Sequence, residues 1–92
     1  MVNNIIITGA NQGIGYYMTE KLLTEGNNVS VLDIETDNLA NLKKQYSSLI
    51  FYKVDLRNYD EVKAAVGETV AEFGAIDIAV HNACKCTFES ER

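Results

Sequence analysis

The stretch that decides the fold runs Asn4-Ile5-Ile6-Ile7-Thr8-Gly9-Ala10-Asn11-Gln12-Gly13-Ile14-Gly15. Its opening, Asn4 to Thr8, is a continuous β-branched run rather than an alternating one, which is how a strand covered on both faces reads. The three glycines that follow deliver the chain into a helix, expected from Gly13 to about Glu25, with Ile14, Met18 and Leu22 stacked on one face and Gly26 closing its end. Further on, residues 28–34 read as a second strand. Thr36 or Asp37 is placed to cap a short helix with apolar positions Leu39, Leu42 and Tyr46, and residues 49–55 return as a third strand. Asn58 with Glu61 three residues later starts another helix, whose face Val62, Ala65, Val66, Thr69, Val70 and Phe73 fill before Gly74. Residues 76–80 form the fourth strand.

Strand and helix alternate through four strands and three helices, with no proline and no long loop between them. Right-handed crossovers then give an α/β, Rossmann-like doubly wound parallel sheet with helices on both faces. No repeat, linker or composition shift divides the chain, so residues 1–92 are expected to form one domain. Ligands of such sheets bind at the C-terminal ends of the strands, which is where the glycines lie.

The glycine spacing is G-x-x-x-G-x-G over Gly9, Gly13 and Gly15. Glycine permits a tight turn and a close approach of backbone to ligand, while the free N–H groups and dipole of a helix start favour an anion. A diphosphate fits. The phosphate loop of nucleoside triphosphatases would need Gly-Lys-Ser/Thr, and Ile14-Gly15 follow Gly13 instead. A bare packing turn would carry glycines too, but Asp33 falls at the end of the second strand, 18 residues after Gly15. A carboxylate there can accept hydrogen bonds from the ribose hydroxyls of an adenine dinucleotide. Its charge would repel a 2′-phosphate, and neither Gln12 nor Ile34 supplies a cation to attract one, so NAD is preferred over NADP.

Thr8-Gly9-x-x-x-Gly13-Ile14-Gly15 resembles the cofactor loop of the short-chain dehydrogenase/reductase family, and the resemblance extends from about Asn3 to Ala83. Asp55-Leu56 is similar to the family's Asp at the end of the third strand, which implies contact with the adenine amino group. Asn82-Ala83 resembles the Asn-Ala-Gly after the fourth strand, whose Asn steadies the sheet and whose adjacent backbone lies along the cofactor. Here Cys84 replaces the glycine. The resemblance thus implies a cofactor site of Gly9, Asn11, Gln12, Gly13, Ile14, Gly15, Asp33, Ile34, Asp55, Leu56, Asn82 and Ala83. It also implies hydride transfer between nicotinamide and a carbonyl or alcohol substrate, by a Tyr, Lys, Ser and Asn that lie beyond the fourth strand. None of these four can be assigned before Arg92. Tyr17-x-x-x-Lys21 and Tyr59-x-x-x-Lys63 match the family's Tyr-x-x-x-Lys spacing but sit on the first and third helices, where they read as ordinary i,i+4 neighbours. The chain is therefore expected to be the dinucleotide-binding part of such an oxidoreductase, truncated after the fourth strand and inactive by itself. The alternative is a non-enzymatic nucleotide-binding or assembly module. An exposed fourth strand and a small core favour a homodimer or higher homo-oligomer in either case.

Composition narrows the remaining classes. Thirteen acidic against eight basic residues give a net charge of -5, which opposes binding to a nucleic-acid backbone. The Met1-Val2-Asn3-Asn4 start has no basic segment, and Ile5-Ile6-Ile7 is too short for a signal peptide or a membrane span, so a cytoplasmic protein is expected. Cys84 and Cys86 are too close in sequence for an ordinary structural disulfide and are read as thiols. With His81 they do not make a zinc pattern, and no metal is expected.

Overall fold

The computed structural model describes residues 2–82. The elements are β1 (Asn4–Thr8), α1 (Gly13–Thr24), β2 (Asn28–Asp33), α2 (Asp37–Lys43), β3 (Leu49–Lys53), α3 (Tyr59–Phe73) and β4 (Ile78–His81). All strand pairs are parallel and the sheet order is β3-β2-β1-β4. The chain winds outward from β1 to β3 and then crosses back to the free side of β1. This places a topological switch point between β1 and β4, at the strand ends where the glycine turn leaves the sheet.

The unbroken apolar run of β1 is explained by burial on two faces. Ile5 and Ile7, with Val29, Val31 and Leu49, pack under Leu23 of α1 and Leu39 and Leu42 of α2. Ile6 and Leu32 pack on the other face with Val54, just after β3, and with Ala65 of α3. Within this second layer Ser30 Oγ lies 2.7 Å from Thr69 Oγ1, and Thr69 in turn donates to Ala65 O at 2.9 Å.

Asn58 caps α3 by accepting the Glu61 N–H at 3.2 Å, and Glu61 reaches back to the Asp55 N–H at 2.9 Å, so the turn after β3 and the helix start form one unit. Gly74, at φ 92°, ends the helix.

Several details differ from the sequence reading: β3 ends at Lys53 rather than Asp55, Val70 on α3 is 40% exposed, Thr36 makes no side-chain cap bond to α2, and three further differences have a visible cause or consequence. Ile14 is 80% exposed, and the buried line of α1 runs through Gly15, Thr19 and Leu23 instead. The cause is Gly15, whose lack of a side chain lets the helix press directly on the loop, which fixes the helix phase one residue later. Tyr46 lies beyond the end of α2, although it still packs against the core and its hydroxyl meets Thr24 Oγ1 at 2.8 Å. The fourth strand starts at Ile78, and Asp77 just before it donates its N–H to Asn4 O at 2.8 Å while its carboxylate accepts the Asn4 N–H at 2.8 Å.

Candidate cofactor site

The C-terminal ends of all four strands are tied together by backbone bonds: Gly9 N–H to Leu32 O at 2.8 Å, Val54 N–H to Asp33 O at 2.9 Å, and Asn82 N–H to Thr8 O at 3.2 Å. This brings Gly9 to Gly15, Asp33, Ile34, Asp55 and Asn82 to one edge of the molecule. Ala83, Cys84 and Cys86 lie outside the described residues.

Gly9 and Gly13 have φ of 74° and 67°, the left-handed region in which a side chain would be strained. Gln12 precedes α1 in extended conformation and makes no side-chain cap bond. The helix therefore opens with the N–H groups of Gly13, Ile14 and Gly15, for which no acceptor exists among the described residues; the first bond of the turn is Tyr16 N–H to Gln12 O at 3.4 Å. Space over Gly13 is open, with nothing within 4 Å of where a Cβ would stand. Gly15 is the opposite case: a Cβ there would collide with the Asn82 side-chain amide and would stand 2.7 Å from Gly9 O. Asn82 supports the turn by donating from Nδ2 to Gly9 O at 2.9 Å.

Asp33 accepts the Asn11 N–H on Oδ2 at 3.0 Å and the Glu35 N–H on Oδ1 at 3.1 Å. A carboxylate offers about four acceptor positions. Two remain for hydroxyl donors. Beside it Ile34 is 53% exposed, an apolar surface next to the carboxylate. Free N–H donors at the helix start, open space over Gly13 and a carboxylate with spare lone pairs together fit a diphosphate joined to a ribose.

The other expected residues divide. Asp55 accepts from Arg57 on both oxygens, at 2.9 Å from its N–H and 3.1 Å from each of Nε and Nη2. Arg57 thereby holds the Asp55 carboxyl below its ordinary range. Sequence reasoning passed over Arg57, although Asp-x-Arg after a strand is a spacing at which a turn folds the pair together. Leu56 is half-buried and packs into the α3-side core. Asn11 is 3% exposed, and its side chain points away from the open face of the loop toward α2. The two Tyr-x-x-x-Lys pairs stay on α1 and α3, with Lys63 Nζ 6.0 Å from the centre of the Tyr59 ring. Among the described residues, no helix is long and apolar enough to cross a membrane, and no group of three or more His, Cys, Asp or Glu could hold a metal ion.

A parallel sheet that carries a glycine turn into a helix start at its switch point, with a carboxylate at the neighbouring strand end, is the arrangement of a Rossmann-like α/β fold. A family model described as short chain dehydrogenase matches residues 3–91, and the chain belongs to that family. A 2,5-dichloro-2,5-cyclohexadiene-1,4-diol dehydrogenase of Sphingobium indicum is 36% identical over 80 residues, covering 86% of this chain and 32% of the relative. A 4-hydroxyisoleucine dehydrogenase complexed with NADH superposes with a TM-score of 0.75 at 30% identity, over 84% of this chain and 32% of the other. ElxO with NADP bound gives a TM-score of 0.76 at 26% identity, over 89% and 35%. The chain thus spans about a third of the length of the curated relatives it matches. Between them, the similar structures hold either form of the cofactor.

Proposed function

We propose that residues 1–92 are the adenosine-diphosphate-binding part of an NAD-dependent oxidoreductase that transfers hydride between nicotinamide and a carbonyl or alcohol. Two of the proteins named above are dehydrogenases, and the unmatched two thirds of their length is where the substrate pocket and the reacting groups are expected. These 92 residues alone bind cofactor in this reading and turn nothing over.

One observation carries the proposal: Asp33 sits at the strand end beside the glycine turn, joined to it through the Asn11 N–H at 3.0 Å, which supports one ligand using both the carboxylate and the turn. The same carboxylate supports NAD over NADP, because a 2′-phosphate would meet its negative charge and Gln12 and Ile34 offer none of the opposite sign. Calorimetric titration with NAD and with NADP tests this. Binding of NAD, weaker binding of NADP, and in Asp33→Ala a loss of NAD binding together with the preference for NAD over NADP are expected. A folded chain that binds neither overturns the reading.

A second reading, self-association through β4, is favoured by the exposure of that strand, where Ile78 is 43% exposed. Sedimentation velocity at rising concentration tests it, and a monomer throughout the range refutes it.

A further inference from the structure

α2 is a helix of seven residues, and the residue at its cap position, Thr36, makes no side-chain cap bond. A helix this short needs its first N–H groups satisfied. Asn11 does it from the glycine loop. Its Oδ1 accepts the N–H of Asn38 at 3.0 Å and of Leu39 at 3.3 Å, and its Nδ2 donates to Asp37 Oδ1 at 2.9 Å. Asn38 Nδ2 closes the clamp by donating to Asn11 O at 2.9 Å. On its other side the Asn11 N–H donates to Asp33 Oδ2 at 3.0 Å. One residue, buried to 3% exposure, therefore connects the anion-binding turn, the ribose-binding carboxylate and the start of α2. The Asn11 amide also holds the Asp37 carboxyl below its ordinary range.

We propose that Asn11 is a positioning residue: it fixes the glycine turn relative to Asp33 by clamping the turn to the N-terminus of α2, and so sets the spacing between the diphosphate and ribose subsites. The proposal rests on the dinucleotide reading above and deepens it. It assigns Asn11 no direct contact with the ligand through its side chain. Release of the clamp should leave each subsite in being but let their separation vary, so a ligand that spans both loses more affinity than a ligand that uses one.

The test compares ADP-ribose, which spans turn and carboxylate, with adenosine, which reaches only the carboxylate side. Affinities are read by NMR titration on the 92-residue chain. In Asn11→Ala, binding of ADP-ribose is expected to weaken by roughly tenfold, with binding of adenosine changed less than about twofold. Asn38→Ala, at an exposed position outside the cofactor site, removes only the bond to Asn11 O, is expected to keep the fold, and should show the same selective loss at about two- to threefold. Hydrogen exchange at the amides of Asn38 and Leu39 should accelerate in Asn11→Ala. Equal loss for both ligands, or no loss in either variant, overturns the positioning role. A wild-type chain that binds ADP-ribose and variants that fail the selectivity test sink this inference alone; a folded wild-type chain that binds neither ligand sinks the dinucleotide reading and this inference with it.

Discussion

Gly15→Ala separates close packing from helix propensity, because the two push in opposite directions. Alanine in place of a helical glycine should stabilise by up to about 1 kcal/mol. At residue 15 the added Cβ would stand 2.7 Å from Gly9 O and 3.0 Å from Ala10 Cα, and would strike the Asn82 amide. The first two are backbone atoms of a turn pinned by the Gly9 N–H bond to Leu32 O at 2.8 Å, so they have little room to retreat. Asn82 can swing away only by giving up its 2.9 Å bond to Gly9 O. Overpacking of this kind costs about 1–3 kcal/mol, and a lost hydrogen bond adds about 1 kcal/mol. The net expectation is destabilisation by about 2 kcal/mol, against a total of about 5–14 kcal/mol for a chain of this length.

Urea denaturation followed by circular dichroism measures it. With a slope of about 1–2 kcal/mol/M, the midpoint of Gly15→Ala should fall by roughly 1–2 M. Gly67→Ala is the control. That glycine lies inside α3 with nothing within 4 Å of its Cβ position, so there the propensity gain acts alone and the midpoint should rise by roughly 0.5 M. If Gly15→Ala is as stable as the wild type, the contact between α1, the turn and Asn82 is not as close as argued.

Three further outcomes follow from single contacts. Thr69→Val leaves the buried Ser30 hydroxyl without its 2.7 Å partner and should cost about 1–3 kcal/mol in the same denaturation experiment, while adding Ser30→Ala should recover part of it; additive losses would deny the coupling. Arg57→Ala should return the Asp55 carboxyl upward toward its ordinary range in a carboxyl NMR titration, and because the folded value is the lower one, the pair's contribution is present above that range and fades as pH falls through the folded value. An unmoved titration would show that Arg57 does not hold it. Burial, followed by the charge of Glu68, raises the Tyr52 phenol above its ordinary range, so folding favours the neutral phenol and the benefit is lost as pH rises through the folded value. Glu68→Gln should lower that titration in ring-carbon NMR, and no change would show that the charge of Glu68 does not act on the phenol.

The parts of the fold legible in the sequence are those set by local pattern. Ile5-Ile6-Ile7 could only be a strand covered on both faces, and the spacing of Asn58 and Glu61 reports a helix start because the two residues bond to each other at 3.2 Å. The phase of α1 was not legible, since a hydrophobicity count gives Gly15 no weight although a Cβ there would stand 2.7 Å from Gly9 O. Nor was the work of Asn11. Its place in the loop suggested a ligand contact, but its partners Asp37, Asn38 and Leu39 are 26–28 residues away, a separation at which no spacing rule operates. Leu56 shows the same blindness, standing beside Asp55 in sequence while its side chain turns to the α3-side core.

These non-local contacts bear on how the turn binds an anion. Gly9 and Gly13 supply conformations that other residues resist, but freedom to adopt a shape also costs entropy when that shape is fixed. The chain constrains the turn from both flanks. Asn82, just after β4, holds Gly9 O, and the α2 clamp holds Asn11, with Asp33 tied to the same residue. A turn fixed by contacts of the protein itself presents its N–H groups to a diphosphate without a large ordering cost at the moment of binding. The glycines make the geometry accessible; the two asparagines make it the resting state, which is why substitution of either asparagine should weaken the ligand through disorder of the turn rather than through a contact removed.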